Sequence, residues 1–183
     1  LDKRECLLET RLIERVPPLE TQLTLVIAPT KSSDRFEWML EKAMEYGVSR
    51  IQPVWTHRGE RTKEKRDRWN RILVSALKQS QQLWLTELMP SILWEEYLVK
   101  AEGAGFIAHC EIGEKLHLFD ALNPGESCWL AIGPEGDFTA AEIAAAKEKG
   151  AMEVSLGTQR LRTETAGLAA IQMFALAQRL RSS

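Results

Sequence analysis

Three glycine-containing loops, at residues 109–115, 133–138 and 157–161, hold the groups of this chain best suited to chemistry. Each follows a short apolar run that reads as a strand. In an open α/β sheet, ligands bind outside the carboxyl ends of the strands, so the three loops are expected to converge on one crevice. Glycine there permits φ above zero and lets the backbone approach a ligand closely. A pocket built from backbone N–H and C=O groups can read an adenine edge without charged side chains. Several nucleotide and hydrolase signatures are missing: no G-x-x-x-x-G-K-[ST], no G-x-G-x-x-G after a strand, and no G-x-S-x-G. The three histidines, His57, His109 and His117, lack ligand spacing, so no metal site is expected. Cys6, Cys110 and Cys128 are far apart and form no C-x-x-C. That predicts neither a disulfide framework nor a zinc site, and a reducing cytosol as the compartment.

The elements that must carry these loops alternate. Residues 1–20 read as a short strand-like stretch and a linker ending in Pro17-Pro18. A buried strand is expected over 23–28, then a helix opening near Ser33 and Asp34, with Asp34-x-x-Glu37 as a capping box and Gly47 as its stop. Residues 51–55 read as a strand. The basic run from Arg58 to Arg71 leads into an amphipathic helix with Trp69, Ile72, Leu73, Ala76, Leu77 and Leu83 on its apolar stripe. A possible strand over 86–92 is broken by Pro90, and a short helix spans 94–100. Strands at 105–110, 127–132 and 152–156 follow. Thr139-x-x-Glu142 caps a helix ending at Gly150, and a last helix runs from about Thr163 to about Arg181. Strand–helix alternation of this kind predicts an α/β domain with a mostly parallel sheet flanked by helices.

Composition is consistent with that. The chain has 183 residues, 44% hydrophobic and 27% charged, with a net charge of −2. A chain this long buries roughly 70% of its extended surface, enough for one self-sufficient core. No apolar run has the length of a bilayer span, and no secretory leader pattern opens the sequence. The balanced charge gives no global pull toward nucleic acid, although a local basic patch could still bind RNA phosphates. Plainer roles are equally open at this level. The glycines serve as turns, the basic run is a solvated helix face, Trp38 and Trp69 pack, and Thr163 and Thr165 cap the last helix. Gly167, about 1 kcal/mol worse than alanine inside a helix, implies close packing against a neighbouring backbone.

Longer motifs then restrict the choice. Ile132-Gly-Pro-Glu-Gly-Asp-Phe-Thr139, Glu142, and Ser155-Leu-Gly-Thr-Gln-Arg-Leu-Arg-Thr-Glu-Thr-Ala166 together resemble the ribosomal RNA small-subunit methyltransferase E family. Glu41-Lys-Ala-Met-Glu-Tyr-Gly-Val48 is similar to that family's E-K-x-x-E-L-G-V element. The matches run in order from about residue 22 to the C-terminus. The resemblance implies the SPOUT class of S-adenosylmethionine-dependent methyltransferases, a C-terminal deep trefoil knot, a cytoplasmic homodimer, and methylation of N3 of a specific uridine in 16S rRNA. It makes residues 21–183 the methyltransferase domain and residues 1–20 the remnant of an N-terminal RNA-binding domain and its linker. By the same resemblance Glu111, Ile132, Gly133, Gly136, Ser155, Leu156, Gly157, Leu161 and Thr165 would hold S-adenosylmethionine. Gln79 and Arg162 would meet the RNA, with Arg162 the catalytic candidate. A guanidinium beside uracil lowers the pKa of N3–H and stabilises the anion that must attack. The bland alternative pairs Arg162 with Glu164 or Glu153, and Glu164 would otherwise orient an arginine or cap the last helix. This chain departs from the family pattern in Ser75-Ala-Leu-Lys-Gln79, in Gln82 where an arginine is expected, and in Asp137 where a second glycine is common. Another SPOUT chemistry (ribose 2′-O or a different base) and a non-catalytic ribosome-assembly protein remain the alternatives.

Overall fold

The computed structural model describes residues 9–11, 14–60 and 63–180. Its elements are β1 (Leu23–Ile27), α1 (Ser33–Glu45), β2 (Arg50–Trp55), α2 (Arg66–Ser80), β3 (Glu87–Leu88), β4 (Ile92–Leu93), α3 (Trp94–Lys100) and β5 (Ala104–Ala108). They continue with β6 (Leu116–His117), α4 (Leu118–Ala121), β7 (Cys128–Ile132), α5 (Ala140–Glu148), β8 (Met152–Ser155) and α6 (Thr163–Leu180). The strands form one eight-stranded sheet in the order β3-β2-β1-β7-β5-β8-β6, with β4 also pairing with β2. Every pairing is parallel.

A parallel sheet needs cover on both faces, which is why β1, β5 and β7 are continuous apolar runs rather than alternating ones. Leu23, Leu25 and Ile27 of β1 join a core with Phe36, Leu40, Trp69, Leu73 and Ile171, contributed by α1, α2 and α6. Val26, one step out of phase, joins the opposite core with Trp94, Trp129, Phe138 and Ile143. On that second face Gly105 of β5 stands directly beside Trp129 of β7. A Cβ on Gly105 would lie only 2.1 Å from the indole Cζ2, so glycine is the residue that lets the ring lie flat across the strand.

Local chemistry sets most boundaries. Thr139 Oγ1 accepts the N–H of Glu142 while the Glu142 carboxylate accepts the N–H of Thr139, a complete capping box on α5. Gly47 and Gly150 follow the C-caps of α1 and α5 with φ of +73° and +91°.

Four expectations need correction. The Asp34–Glu37 capping box does not form: α1 is capped by Ser32, whose carbonyl accepts from Phe36 N, without any side-chain cap bond. Glu37 therefore lies deeper in the helix, is buried, and accepts from Arg68 of α2 at 2.6 Å. Leu83 is not on the stripe of α2, because Gln81 turns left-handed at φ +55° and ends the helix first, leaving Leu83 67% exposed. Gly167 approaches side chains rather than backbone: a Cβ there would meet Ile27 Cδ1 at 3.0 Å. Thr163 does not cap α6, since its hydroxyl donates to the Gly133 carbonyl at 3.0 Å, and Thr165 is exposed. Residues 9–11 and 14–20 contain no strand, and the strand-like stretch expected within 1–20 otherwise falls on residues 1–8 and 12–13, outside the described residues. Among the described residues no helix is long and apolar enough to cross a membrane.

Candidate functional site

In the sheet register Ala108, Ile132 and Val154 are neighbours, with Ala108 opposite both others. The chain therefore leaves β5, β7 and β8 at one level, and the three loops open side by side. Between them lies a cleft of about 740 Å³, lined by those three residues and by loop residues. That volume is within the range of sites for cofactor-sized ligands.

Seven of the sequence candidates line this cleft: Ile132, Gly133, Ser155, Leu156, Gly157, Leu161 and Arg162. Gly157, at the end of β8, has φ +127°, a conformation that side-chain-bearing residues rarely adopt. Its N–H donates to Ser155 Oγ and its carbonyl accepts from the same hydroxyl, closing a tight turn. The Thr163 hydroxyl ties the start of α6 to Gly133, so the third loop is anchored to the second. Four candidates lie off the lining. Glu111 is exposed in the first loop, Thr165 is exposed on α6, and Gly136 faces away toward Arg58. Gln79 lies near the C-terminal end of α2, close to Gln82, which donates to the Glu45 carbonyl at the end of α1. In this parallel sheet that is the end opposite the cleft.

The parts played by several lining residues escaped the sequence reading, which noted Asp137 only as a departure from the family's glycine. Asp137 has φ +63°, so the position often filled by glycine does require a left-handed residue, and aspartate is among the few others that tolerate it. Its two carboxylate oxygens accept from Cys110 N at 2.7 Å and Phe138 N at 2.8 Å, bridging the first and second loops. The signal available was the family glycine itself, which marks the backbone conformation though not the bridge. Lys115 Nζ closes the first loop on itself by donating to the carbonyls of His109 and Glu111.

His109 is held between these groups, its side chain 1% exposed. The N–H of Glu111 points at Nδ1, so Nδ1 accepts and Nε2 carries the proton that it donates to Glu153 at 3.0 Å. Burial, reinforced by the Lys115 charge, pushes the His109 pKa below its ordinary 6.5, and Glu153 offsets only part of this. A histidine kept neutral in the fold contributes stability that is complete above the unfolded value of 6.5 and is lost as pH falls toward the lower folded value. The melting temperature of the wild-type chain is thus expected to rise as pH approaches 6.5 from below. In His109→Gln that part of the rise is expected to vanish. Melting curves of both proteins across that range check it, and identical pH slopes would refute it.

Arg162 lies at the cleft, exposed, and its carbonyl accepts the Ala166 N–H at the start of α6. The two acids that the sequence offered as its partners are engaged elsewhere, and Glu135 and Asp137, which also line the cleft, accept from Lys31 N and from Cys110 N and Phe138 N. Glu164 accepts from Arg35 at 3.2 Å, and Glu153 holds Lys147 and His109. Glu164 therefore orients an arginine, but the one on α1. Among the described residues Arg162 has no ion-pair partner.

Comparison with known proteins identifies relatives over most of the chain. The RNA methyltransferase domain family model matches residues 17–175. The chain is 33% identical to the ribosomal RNA small subunit methyltransferase E of Synechocystis sp. over 172 residues, covering 90% of this chain and 56% of that protein. It is 32% identical to the protein of the same name from Mycobacterium bovis over 182 residues, covering 90% and 67%. The crystal structure of the Neisseria gonorrhoeae ribosomal RNA small subunit methyltransferase E bound to S-adenosyl methionine superposes with a TM-score of 0.77 at 36% identity, covering 87% of this chain and 66% of that one. The chain thus spans less than two thirds of the Synechocystis relative's length.

Proposed function

Since this chain belongs to the RNA methyltransferase domain family, in its ribosomal RNA small subunit methyltransferase E branch, we propose that it methylates N3 of a uridine in 16S rRNA with S-adenosylmethionine as donor. The Neisseria relative carries that donor, and the cleft offers what such a ligand needs: adequate volume and backbone groups from three loops. The residues we assign to it are Ile132, Gly133, Ser155, Leu156, Gly157 and Leu161, with Glu111, Gly136 and Thr165 supporting the loops from outside the lining. When bound, S-adenosylmethionine supplies an electrophilic methyl group on a sulfonium sulfur.

The protein's own part is to position the base and to change its acidity. Uracil N3 carries a proton at neutral pH and is a poor nucleophile until that proton is lost. Arg162, which forms no ion pair among the described residues, stabilises the negative charge that the uracil develops. Line-up of the attacking nitrogen supplies much of the remaining acceleration, and the cross-tied loops are the means. This reading rests on one observation above the others: an arginine with no ion-pair partner among the described residues, beside a cleft whose second loop is tied both to the first and to the start of α6.

The same proposal includes a cytoplasmic homodimer acting on the small ribosomal subunit. Gln79, at the far end of the sheet, reaches a base in the cleft only if a second copy carries its α2 end there. We also read the return of the chain from β8, past β5 and β7, to pack α6 on β1 as the crossing of a trefoil knot. Residues 21–183 form the methyltransferase domain in this reading, and residues 1–20 lead out of an RNA-binding domain.

The test combines calorimetry with nucleoside analysis. Titration with S-adenosylmethionine is expected to give one site per chain. Mass spectrometry of small-subunit RNA after incubation is expected to show 3-methyluridine. A ribose-methylated nucleoside would replace the base assignment, and absence of donor binding would favour the non-catalytic assembly role.

A further inference from the structure

We propose that Arg58, in the basic run, is a positioning residue that holds the 133–138 turn in shape from behind the cleft; this rests on the methyltransferase reading. The run suggested either RNA contact or a solvated face; Lys63 and Arg71 are exposed, but the other four described basic residues, Arg58, Lys65, Arg66 and Arg68, donate to the protein's own groups. Lys65 donates to Ser33, Arg66 to the Leu88 carbonyl, and Arg68 to Glu37. Arg58 Nη1 donates to the carbonyls of Gly136 at 3.1 Å and Phe138 at 3.3 Å. The side chain also packs against the turn, because a Cβ on Gly136 would lie 3.2 Å from Arg58 Cβ. A side chain at Gly136, which does not line the cleft, would thus require Arg58 to give way by a few tenths of an ångström.

The two carbonyls bracket Asp137, and their peptide groups are fixed at both ends. The 136–137 peptide presents its oxygen to Arg58 and its N–H to the Pro134 carbonyl at 2.9 Å. The 138–139 peptide presents its oxygen to Arg58 and its N–H to Glu142 at 2.7 Å. Glu142 in turn accepts the N–H of His57 at 2.8 Å, so two successive residues after β2 grip the same turn. Asp137 is thereby held left-handed with its carboxylate on Cys110 N, and the grip extends to the first loop. Arg58 touches none of the ligand-facing lining yet determines where two of its walls stand.

The experiment uses the whole chain in four forms: wild type, Arg58→Ala, Arg58→Lys, and Lys63→Ala as an exposed control from the same run. Amide exchange without ligand and the dissociation constant for S-adenosylmethionine are measured, with RNA KM against salt. Arg58→Ala is expected to speed exchange at residues 137–139 by about tenfold and weaken donor binding by about tenfold, the loss of roughly one charged-donor hydrogen bond. Arg58→Lys is expected to recover part of both, and Lys63→Ala to leave both unchanged. The salt dependence of RNA binding is expected to stay constant. Unchanged exchange and donor affinity, with a salt slope lower by about one, would make Arg58 a phosphate contact and overturn the proposal. If the wild type takes no donor, the methyltransferase reading fails, and exchange alone decides for or against the hold on the turn.

Discussion

Arg162→Ala is expected to lower turnover on RNA by about 100-fold or more, with donor affinity essentially unchanged. The expectation follows from the electrostatics of an exposed cleft. An arginine already paired with a carboxylate would contribute little to a developing anion, because its field would be cancelled at source. Here Glu164 is spent on Arg35 and Glu153 on Lys147 and His109, and Arg162 at the cleft forms no ion pair among the described residues. Losing its charge raises the cost of ionising the base. The variant's residual rate should therefore climb more steeply with pH than the wild-type rate, as hydroxide does the work the guanidinium no longer assists. Arg162→Lys restores the charge without the planar fork and should fall between the two. Single-turnover kinetics with calorimetry separate these effects. Wild-type turnover in the alanine variant would remove Arg162 from the chemistry, while lost donor binding would make it a ligand of the donor.

Gly105→Ala is expected to be the most damaging single-methyl change in the fold. The added carbon would stand 2.1 Å from Trp129 Cζ2 and 2.3 Å from Cε2, where carbon contacts settle near 3.5–4.0 Å. The indole cannot retreat. It is 3% exposed and wedged against Trp94, at 6.5 Å between ring centroids, and Tyr97, at 5.6 Å. Overpacking of this kind costs about 3 kcal/mol. In a chain this long that is a fall of about 6–12 °C in melting temperature. Gly113→Ala, where nothing lies within 4 Å of the new carbon, should change stability by no more than about 0.5 kcal/mol. Combining Gly105→Ala with Trp129→Phe should recover part of the loss, and urea titration of the single and double variants measures that coupling. Strict additivity would show that the indole is not what excludes the side chain.

What could be read in the sequence was local or repetitive. The Thr139–Glu142 cap was legible because both partners sit within one turn. The strand-end loops were legible because a strand buried on both faces is a continuous apolar run bounded by glycine. The Asp34–Glu37 pair had the same local signature and failed, because Glu37 is claimed by Arg68, 31 residues away on another helix. β6 and α4 went unread since two and four residues cannot show a period. Arg58 was illegible for a different reason: its acceptors are main-chain carbonyls, and these leave no trace in side-chain type. Arg162 could be named from its motif, but whether its charge was free depended on ion pairs that only the fold defines.

The pairing of β1 with β7 also bears on how the chain is made. Residues 23–27 wait for residues 128–132 before that edge of the strand is satisfied, and the helix that covers Leu25 and Ile27 begins only at Thr163. A ribosome therefore releases most of the polypeptide before the middle of its sheet can close. Until then the nascent chain presents an open, greasy β-edge, the kind of surface that recruits holdases or sticks to its siblings.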